Sequence, residues 1–563
     1  MLELQDINFT IQKGEEDIHL LEGINIKIPT SHFIAIVGPS GCGKSTLLKL
    51  ITGINQETEG SIFWNGRNLS EEGDLEFSEI GYVPQFSIAY EALTIEESIK
   101  SSIRLRAKTT GRSDFQNLVN RILDSTGLEA IRNRPVSVLS GGQKRRLALA
   151  MELVTDPVLL LCDEVTSGLD PKSEQEIVEL MHRLSQSENR IVVNVTHSLA
   201  NLDLYDSVLV LHEGRVVYHG QPRALEHYFS VDEAEDVYPQ LVRRSADDWE
   251  KSWRKHRDDY YASFRPSPPV DPDMSFSAVT PGPVAQFFAL LLRRWKIFIR
   301  DGGQLFLQIA ILLGFPVLVV IFALHGVEQT HRLSETLPTT VEQFMAEKKA
   351  MSENLGLGGL VSGLIMFQVI LLTLMGSNNS AREIAGEREI FEKEKLGGVR
   401  PFVYIASKLA FLSVLVFVQS FWMTVFVQSI SHIPSQSFGT HFSFLLLVNA
   451  AMTTICLGIS SIAKTADQAS LLSIYLVGFQ MPLSGAVLAM PEWAGWLTRP
   501  FISAYWSWGG IVDGLQKGYH RYVVEVTDTW LSPAFWCFVV LLLHLIIGIV
   551  LAYLGVKKPR WQH

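Results

Sequence analysis

An α/β domain with a largely parallel sheet, followed by an all-α domain of six membrane-spanning helices, is the fold class that three features of the sequence predict. Up to about residue 230, short β-rich runs alternate with helical stretches, as in a sheet whose parallel strands are joined by crossover helices. Beyond residue 300, apolar stretches recur that are long enough to cross a hydrocarbon layer of ~30 Å. The chain of 563 residues is also 47% hydrophobic and only 19% charged, too apolar for disorder or for a purely soluble enzyme.

Charge divides the chain the same way. Residues 1–280 carry 28 Lys+Arg and 43 Asp+Glu, against 20 and 16 in residues 281–563. An acidic soluble part thus precedes an apolar, mildly basic one, a balance that argues against nucleic-acid binding. The four cysteines, Cys42, Cys162, Cys456 and Cys537, have no spacing that reads as a disulfide framework or a zinc site. The opening MLELQDINFTI alternates like a strand and lacks the basic and apolar regions of a secretory signal, so the first domain is expected in the cytoplasm.

In chain order, residues 1–230 form the α/β domain, with strands expected at FIAIVG, IGYVP, VLLLCDE, RIVVNVTH and SVLVLHEGRVVYHG. Residues 231–282 turn rich in Asp, Glu, Arg and Trp, then in Pro and Ser (RPSPPVDPDMS), and read as a helical tail and linker. Residues 283–301 set Phe287, Leu291, Trp295 and Phe298 against Arg293, Lys296 and Arg300, an amphipathic connecting helix at a membrane surface. Residues 302–563 hold the spans, near 304–325, 357–376, 402–430, 442–463, 469–488 and 532–555. Basic residues cluster between spans two and three (Arg382, Arg388, Lys393, Lys395, Arg400, Lys408) and in the tail (Lys557, Lys558, Arg560), which places both on the cytoplasmic side. Segment 326–356, more acidic than basic, and segment 431–441, without Lys or Arg, are expected outside.

After the apolar run 33–37 comes GPSGCGKS at 38–45, followed by the helix-forming TLLKLITG. This is a phosphate-binding loop in its strand-loop-helix context. Gly38, Pro39, Ser40, Gly41, Cys42, Gly43 and Thr46 are the expected ATP-binding residues beside Lys44 and Ser45; the glycines would let backbone N–H groups wrap the phosphates, Lys44 would neutralise β/γ charge, and the Ser45 hydroxyl would ligate Mg²⁺. A second apolar strand ends in Asp163 and Glu164. The first suits Mg²⁺ and its water, and the second suits the attacking water. Taken alone, the pair also reads as strand-end acids in solvent; the Gly-rich loop tips the reading. The domain is therefore expected to be an α/β P-loop nucleotide-binding domain followed by an all-α six-helix transmembrane domain.

LSGGQ at 139–143 precedes the basic run KRRLALAMEL and offers the Ser140 hydroxyl with Gly141, Gly142 and Gln143 at a helix start for another phosphate. Gln85 follows a short strand in GYVPQ, and His197 ends VVNVTH. Five motifs in this order resemble the ATP-binding cassette (ABC) transporters. The resemblance implies that Gln85 senses the γ-phosphate site, contributes to the metal site and contacts the membrane domain. It also implies that Glu164 is the catalytic base, that His197 contacts the γ-phosphate and that SGLD at 167–170 couples two halves. It further implies that Ser140 to Gln143 act on ATP held by a second subunit, a second copy of the chain or a related half-transporter. Phe9 is the candidate adenine-stacking residue, although the usual position aligns better with Ile11. Cys42, inside the phosphate loop, is a candidate for thiol sensitivity if exposed.

The cassette-then-membrane order resembles the G subfamily (ABCG-like, the white/pleiotropic-drug-resistance group), together with GRVVYHGQPRALEHYF, GEREIFEKEKLGGVRPFVYIASKL and MPEWAGWLTRPFISAYW. Where eukaryotic members read HQP, this chain has Thr196-His197-Ser198, which looks like bacterial relatives and implies a bacterial plasma membrane. By the same resemblance the run containing Glu387, Arg388, Phe391 and Glu394 is a coupling element, against a plain solvated face. Substrate is expected between spans two and five, near Phe367, Met375, Phe479 and Met481, which also read as lipid-facing or packing residues. Gln308, Gln368, Gln419, Asn449, Gln480 and His544 are expected to make interhelical hydrogen bonds. No mid-span Asp or Glu offers an ion relay, so ATP is the expected energy source. The implied function is ATP-driven export or flipping of amphipathic, lipid-like small molecules in a lipid bilayer. The alternatives are polysaccharide or peptide export, or a tethered ATPase that regulates or powers another machine.

Overall fold

The computed structural model describes residues 1–13, 16–72, 75–76, 78–85, 89–186, 190–264, 280–324, 341–431, 433–486 and 491–558. The expected linker at 265–275 and the first half of the expected outside loop 326–356 lie outside these residues. The chain divides into two compact units, Met1–Gln286 with Leu396–Val399, and Phe287–Lys395 with Arg400–His563.

In the first unit the strands are β1 (Leu2–Lys13), β2 (Glu16–Ile28), β3 (His32–Val37), β4 (Glu59–Trp64), β5 (Arg67–Asn68), β6 (Ile80–Val83), β7 (Leu159–Asp163), β8 (Ile191–Val195), β9 (Ser207–His212) and β10 (Arg215–Gly220). They form an antiparallel sheet, β2-β1-β4-β5, and a six-stranded sheet, β10-β9-β3-β8-β7-β6. In the larger sheet only β10 runs antiparallel to its neighbour. The five sequence-expected strand runs are all present there. Every residue of β7 and β8 is buried, which explains their unbroken apolar character, since a parallel strand is covered on both faces.

Register determines where chemistry can gather. Ile36 of β3 pairs with Val195 of β8, which pairs with Asp163 of β7, and Cys162 pairs with Val83 of β6. The four segments that follow β3, β8, β7 and β6 therefore leave the sheet at one carboxyl edge, the edge at which ligands bind in open α/β sheets.

The expected helical tail forms helix Ala246–Ala262, with Ser245 capping its start by accepting from Asp248 N. Trp249 and Trp253 are buried, and their rings meet Tyr218, Tyr228 and Phe229. This tail is packed onto the first unit rather than standing apart as a spacer.

Among the described residues of the second unit, five helices are long and apolar enough to cross a membrane: Gly302–Ala323, a span within Lys348–Leu396, Pro401–Ser431, Phe438–Ile462 and Ala534–Lys557. The expected span at 469–488 takes a different form, a 15-residue helix Ala466–Gln480 followed by the 3-10 turn Pro482–Ser484. Such a helix rises about 22 Å, less than the hydrocarbon layer. Phe438–Ile462 and Ala534–Lys557 approach closely because glycine permits it. A Cβ on Gly548 would lie 2.4 Å from the Thr454 carbonyl carbon, and one on Gly555 would lie 2.1 Å from Ser461 Oγ.

The six amide and imidazole side chains expected to bond across helices do so. Gln308 donates to Asn379 (3.1 Å), Asn379 to Gln419 (2.8 Å) and Asn449 to Gln419 (3.2 Å). His441 meets Gln368 at 2.9 Å, Gln480 accepts from Ala504 N at 3.0 Å, and His544 meets Ser503 at 2.8 Å. The connecting helix forms as Pro283–Arg300, but its two faces differ from the sequence reading. Arg293 and Arg294 are buried and paired with Glu394 and Glu383, and Phe298 is buried. Val284, Phe288, Leu292 and Ile299 are exposed instead. Two inward carboxylates, invisible to helical periodicity, account for the difference.

Candidate functional site

The P-loop opens directly after β3. Gly38 has φ 154°, and a Cβ there would fall 2.2 Å from Leu211 O; Gly43 has φ 101°, and its Cβ would fall 2.7 Å from Leu21 Cδ2. Glycine is required at both positions for conformation and space. Helix Lys44–Ile51 begins immediately after, so its free N–H groups and positive end face the loop. Lys44 is buried, and its Nζ donates to Gly38 O (2.8 Å) and Pro39 O (2.9 Å). The ammonium is thereby held over the loop's own backbone, positioned for phosphate.

Ser45 Oγ donates to Asp163 Oδ1 at 2.9 Å, and Tyr82 OH donates to Asp163 Oδ2 at 3.3 Å. Burial pushes Asp163 above the ordinary carboxylate range, while the Ser45 hydroxyl opposes that shift. Ser45 and Asp163 present hard oxygens side by side, a donor pair that fits Mg²⁺, which takes one or two protein ligands and completes its shell with water and phosphate. Among the described residues no group of three or more His, Cys, Asp and Glu forms a metal cage.

Glu164 sits one residue past β7 in the left-handed backbone region, φ 50°, which an L side chain adopts only when its surroundings hold it there. Its N–H donates to Val195 O at 3.0 Å. Both carboxylate oxygens are engaged: Gln85 Nε2 donates to Oε2 at 2.8 Å, and His197 Nε2 meets Oε1 at 2.6 Å. Arg145 donates to the Gln85 carbonyl, tying the glutamine to the helix that follows LSGGQ. Gln85, Glu164 and His197 come from three separate strand ends and converge within hydrogen-bond reach, beside Ser45 and Asp163.

The LSGGQ segment stands in a different setting. Ser140 caps helix Gly141–Glu152, accepting from Gln143 N at 3.3 Å, while Gln143 Oε1 accepts from Ser140 N at 3.1 Å. This is a capping box. Ser140, Gly142 and Gln143 line a cavity of about 250 Å³ with Gly127, Arg146 and Ser173. Asp170, the last residue of SGLD, caps helix Pro171–Ser185 by accepting from Ser173 N at 3.1 Å.

Phe9 is half-buried on β1 opposite Leu21, and Ile11 is exposed two residues on. Cys42 is buried and burial raises its thiol pKa, so the thiol sensitivity conditional on its exposure does not arise. In the second unit, the residues expected to form a coupling element are anchored by the following contacts. Glu387 accepts from Tyr404 OH at 2.6 Å, Phe391 stacks on Tyr404 at 4.0 Å, and Glu394 pairs with Arg293. Arg388 donates to the carbonyls of Ser460, Ser461 and Ala463. Of the pocket residues, Met375 is buried in the core and Phe367 packs edge-on against Phe322, whereas Phe479 and Met481 are exposed. Sequence reasoning missed Tyr82, Arg145 and Asn379. Tyr82 lies in GYVPQ, three residues before Gln85, and an audit of polar residues in buried strands would have found it.

Residues 21–167 match the family described as ABC transporter, and residues 285–506 match the ABC-2 type transporter family. The chain is 29% identical over 500 residues to an ABC transporter ATP-binding/permease protein of Mycobacterium tuberculosis, covering 86% of this chain and 54% of that protein. It thus spans about half the length of that curated relative. An energy-coupling factor transporter ATP-binding protein (EcfA1) of Mycoplasma mobile is 32% identical over 224 residues, 39% of this chain and 80% of the relative. A solved dimeric structure of an ATP-binding cassette in a post-hydrolysis state, bound to ADP and Pi, is 29% identical and covers 40% of this chain and 99% of that one, with a TM-score of 0.36.

Proposed function

The chain belongs to the ABC transporters, with an ATP-hydrolysing cassette followed by an ABC-2 type membrane domain, and on that premise we propose that it is an ABCG-like half-transporter of the bacterial type. In this reading it exports or flips amphipathic or lipid-like small molecules and works as a dimer, with its cassette and C-terminus in the cytoplasm and six passes of the plasma membrane, the fifth made by the short helix Ala466–Gln480 together with the turn Pro482–Ser484. The single observation that carries the reading is the clasp of Glu164 between Gln85 and His197, beside the Ser45–Asp163 pair.

Each residue's part in turnover follows from its placement. Lys44 exchanges its backbone carbonyls for β/γ-phosphate oxygens. Glu164, with one oxygen on an amide and the other on an imidazole, is oriented to accept the proton of the attacking water. His197 holds that carboxylate and reaches the γ-phosphate. Gln85 reports occupancy of the site through its hydrogen bond to Glu164. Mg²⁺, held by Ser45, Asp163 and in part Gln85, would neutralise charge on the β- and γ-phosphate oxygens.

Ser140 and its neighbours already cap their own helix, and the Ser140 hydroxyl proton remains for a phosphate supplied by a second subunit. Phe9 is the proposed adenine contact. The segment holding Glu387, Arg388, Phe391 and Glu394 carries motion to the spans, because its anchors lie on Pro401–Ser431 and on the end of Phe438–Ile462. The exposed Phe479 and Met481, together with Phe367 and the buried Met375, are the proposed substrate residues.

The test is ATPase activity of the reconstituted protein and of Glu164→Gln, with lipids, sterol-like compounds and amphipathic drugs screened for stimulation. Loss of turnover in the variant, with stimulation of the wild type by one chemical class, supports the reading. Full turnover in Glu164→Gln would remove the catalytic assignment.

A further inference from the structure

The chain leaves its sheet at Val195, and the next residues carry the switch histidine. Thr196 is still tethered, its N–H donating to Ile36 O at 3.1 Å, and Ser198 N donates to Thr196 Oγ1 at 3.1 Å. Between them, the His197 carbonyl has left the strand ladder. Its partner is a phenol from far along the chain: Tyr238 OH donates to His197 O at 3.1 Å. Burial pushes the pKa of this phenol up to about 12, so it keeps its proton at working pH. Tyr238 lies in helix Val237–Leu241, beyond the segment that matches the ABC transporter family and outside every motif named above.

We propose that Tyr238 is a positioning residue of the hydrolytic site, its hydroxyl holding the backbone carbonyl of the switch histidine. The imidazole of His197 reaches Glu164 at 2.6 Å, and displacement of the His197 backbone would carry it away. Tyr238 opposes that displacement from the carbonyl side. The segment after the cassette thereby becomes part of the ATP site. The inference rests on the reading that His197 takes part in turnover.

A matched control exists in the same unit. Tyr228 is also part-buried, but among the described residues its hydroxyl has no hydrogen-bond partner, so removing that oxygen should change nothing at the site. Tyr238→Phe keeps the ring and its packing and removes only the hydrogen bond to the His197 carbonyl.

The experiment measures steady-state ATPase and thermal melting of the full chain in lipid nanodiscs for wild type, Tyr238→Phe, Tyr228→Phe, His197→Ala and the Tyr238→Phe/His197→Ala double variant. Loss of one neutral hydrogen bond predicts that Tyr238→Phe lowers kcat by roughly threefold to tenfold, with KM for ATP and melting temperature unchanged. Tyr228→Phe matches the wild type. The double variant is no slower than His197→Ala, because both changes act through one group. Wild-type turnover in Tyr238→Phe alongside an impaired His197→Ala overturns the inference, and so do losses that multiply in the double variant. Full activity in His197→Ala instead overturns the reading of His197 on which the inference stands.

Discussion

The two units use their polar side chains in opposite ways. In the first, Gln85, Glu164 and His197 project from three strand ends to one edge and are joined there within 2.8 Å. In the second, Gln308, Asn379, Gln419 and Asn449 are buried and bonded to one another, while Leu472, Ile474 and Phe479 are exposed. Polar groups in the first unit face outward to meet a charged ligand. In the second they hold helices together, and contact with the surroundings falls to apolar side chains. Chemistry that discriminates a ligand is therefore written residue by residue in one unit and as surface shape in the other.

That contrast is broken most severely at the outward carboxylate. Glu164→Gln should lower ATP turnover by about 10²–10⁴-fold while the melting temperature of the protein stays unchanged, measured by phosphate release and calorimetry. The converse substitution lies in the second unit. Arg294 is buried, donating to Glu383 at 2.5 and 2.7 Å, and Lys408 donates to the same carboxylate at 2.9 Å. Arg294→Ala should destabilise the second unit by about 3 kcal/mol, read from denaturation in mixed micelles, with nucleotide binding intact.

A smaller loss is expected for Asn379→Leu, which leaves Gln308 and Gln419 short of partners. About 1–2 kcal/mol is predicted, since interhelical hydrogen bonds in membranes are individually modest. Next comes a pH effect confined to the first unit. Burial depresses His219 to about 3, whereas the unfolded imidazole titrates near ~6.5. The unfolded chain takes up the proton first, so the stability is whole above pH ~6.5 and declines as pH falls toward 3, by up to about 1.4 kcal/mol per unit. His219→Asn should flatten that acid limb in melting experiments.

The smallest expected effect is none. All four cysteines are buried, and burial raises the Cys42 thiol. A maleimide at neutral pH should therefore leave ATPase activity unchanged and label only after denaturation. Rapid inactivation traced to Cys42 would show that the phosphate loop opens.

Legibility in the sequence follows the same division. The strands of the larger sheet, the phosphate loop and the Gln85, Asp163, Glu164 and His197 set were readable because a strand end and the residue just past it are adjacent in sequence. Tyr82 was passed over although it lies in GYVPQ, whereas Tyr238 was not readable, because it meets the site from a tail whose spacing to it is set only by folding. The connecting helix was readable as amphipathic, but Arg293 and Arg294 face inward while Lys296 and Arg300 stay exposed: periodicity locates a stripe without revealing Glu383 and Glu394 as partners. The expected span at 469–488 shows the limit of hydropathy, which counts apolar residues and does not register the helix end at Gln480 before Pro482.

The most direct test of the central claim, that hydrolysis at the clasped Glu164 moves molecules through the second unit, is ATP-dependent redistribution of a fluorescent phospholipid in sealed vesicles containing the purified protein. Redistribution by the wild type with ATP, and none by Glu164→Gln, is the predicted result. Equal redistribution by both proteins, or active ATP turnover that moves neither this lipid nor any amphiphile tried, would contradict it.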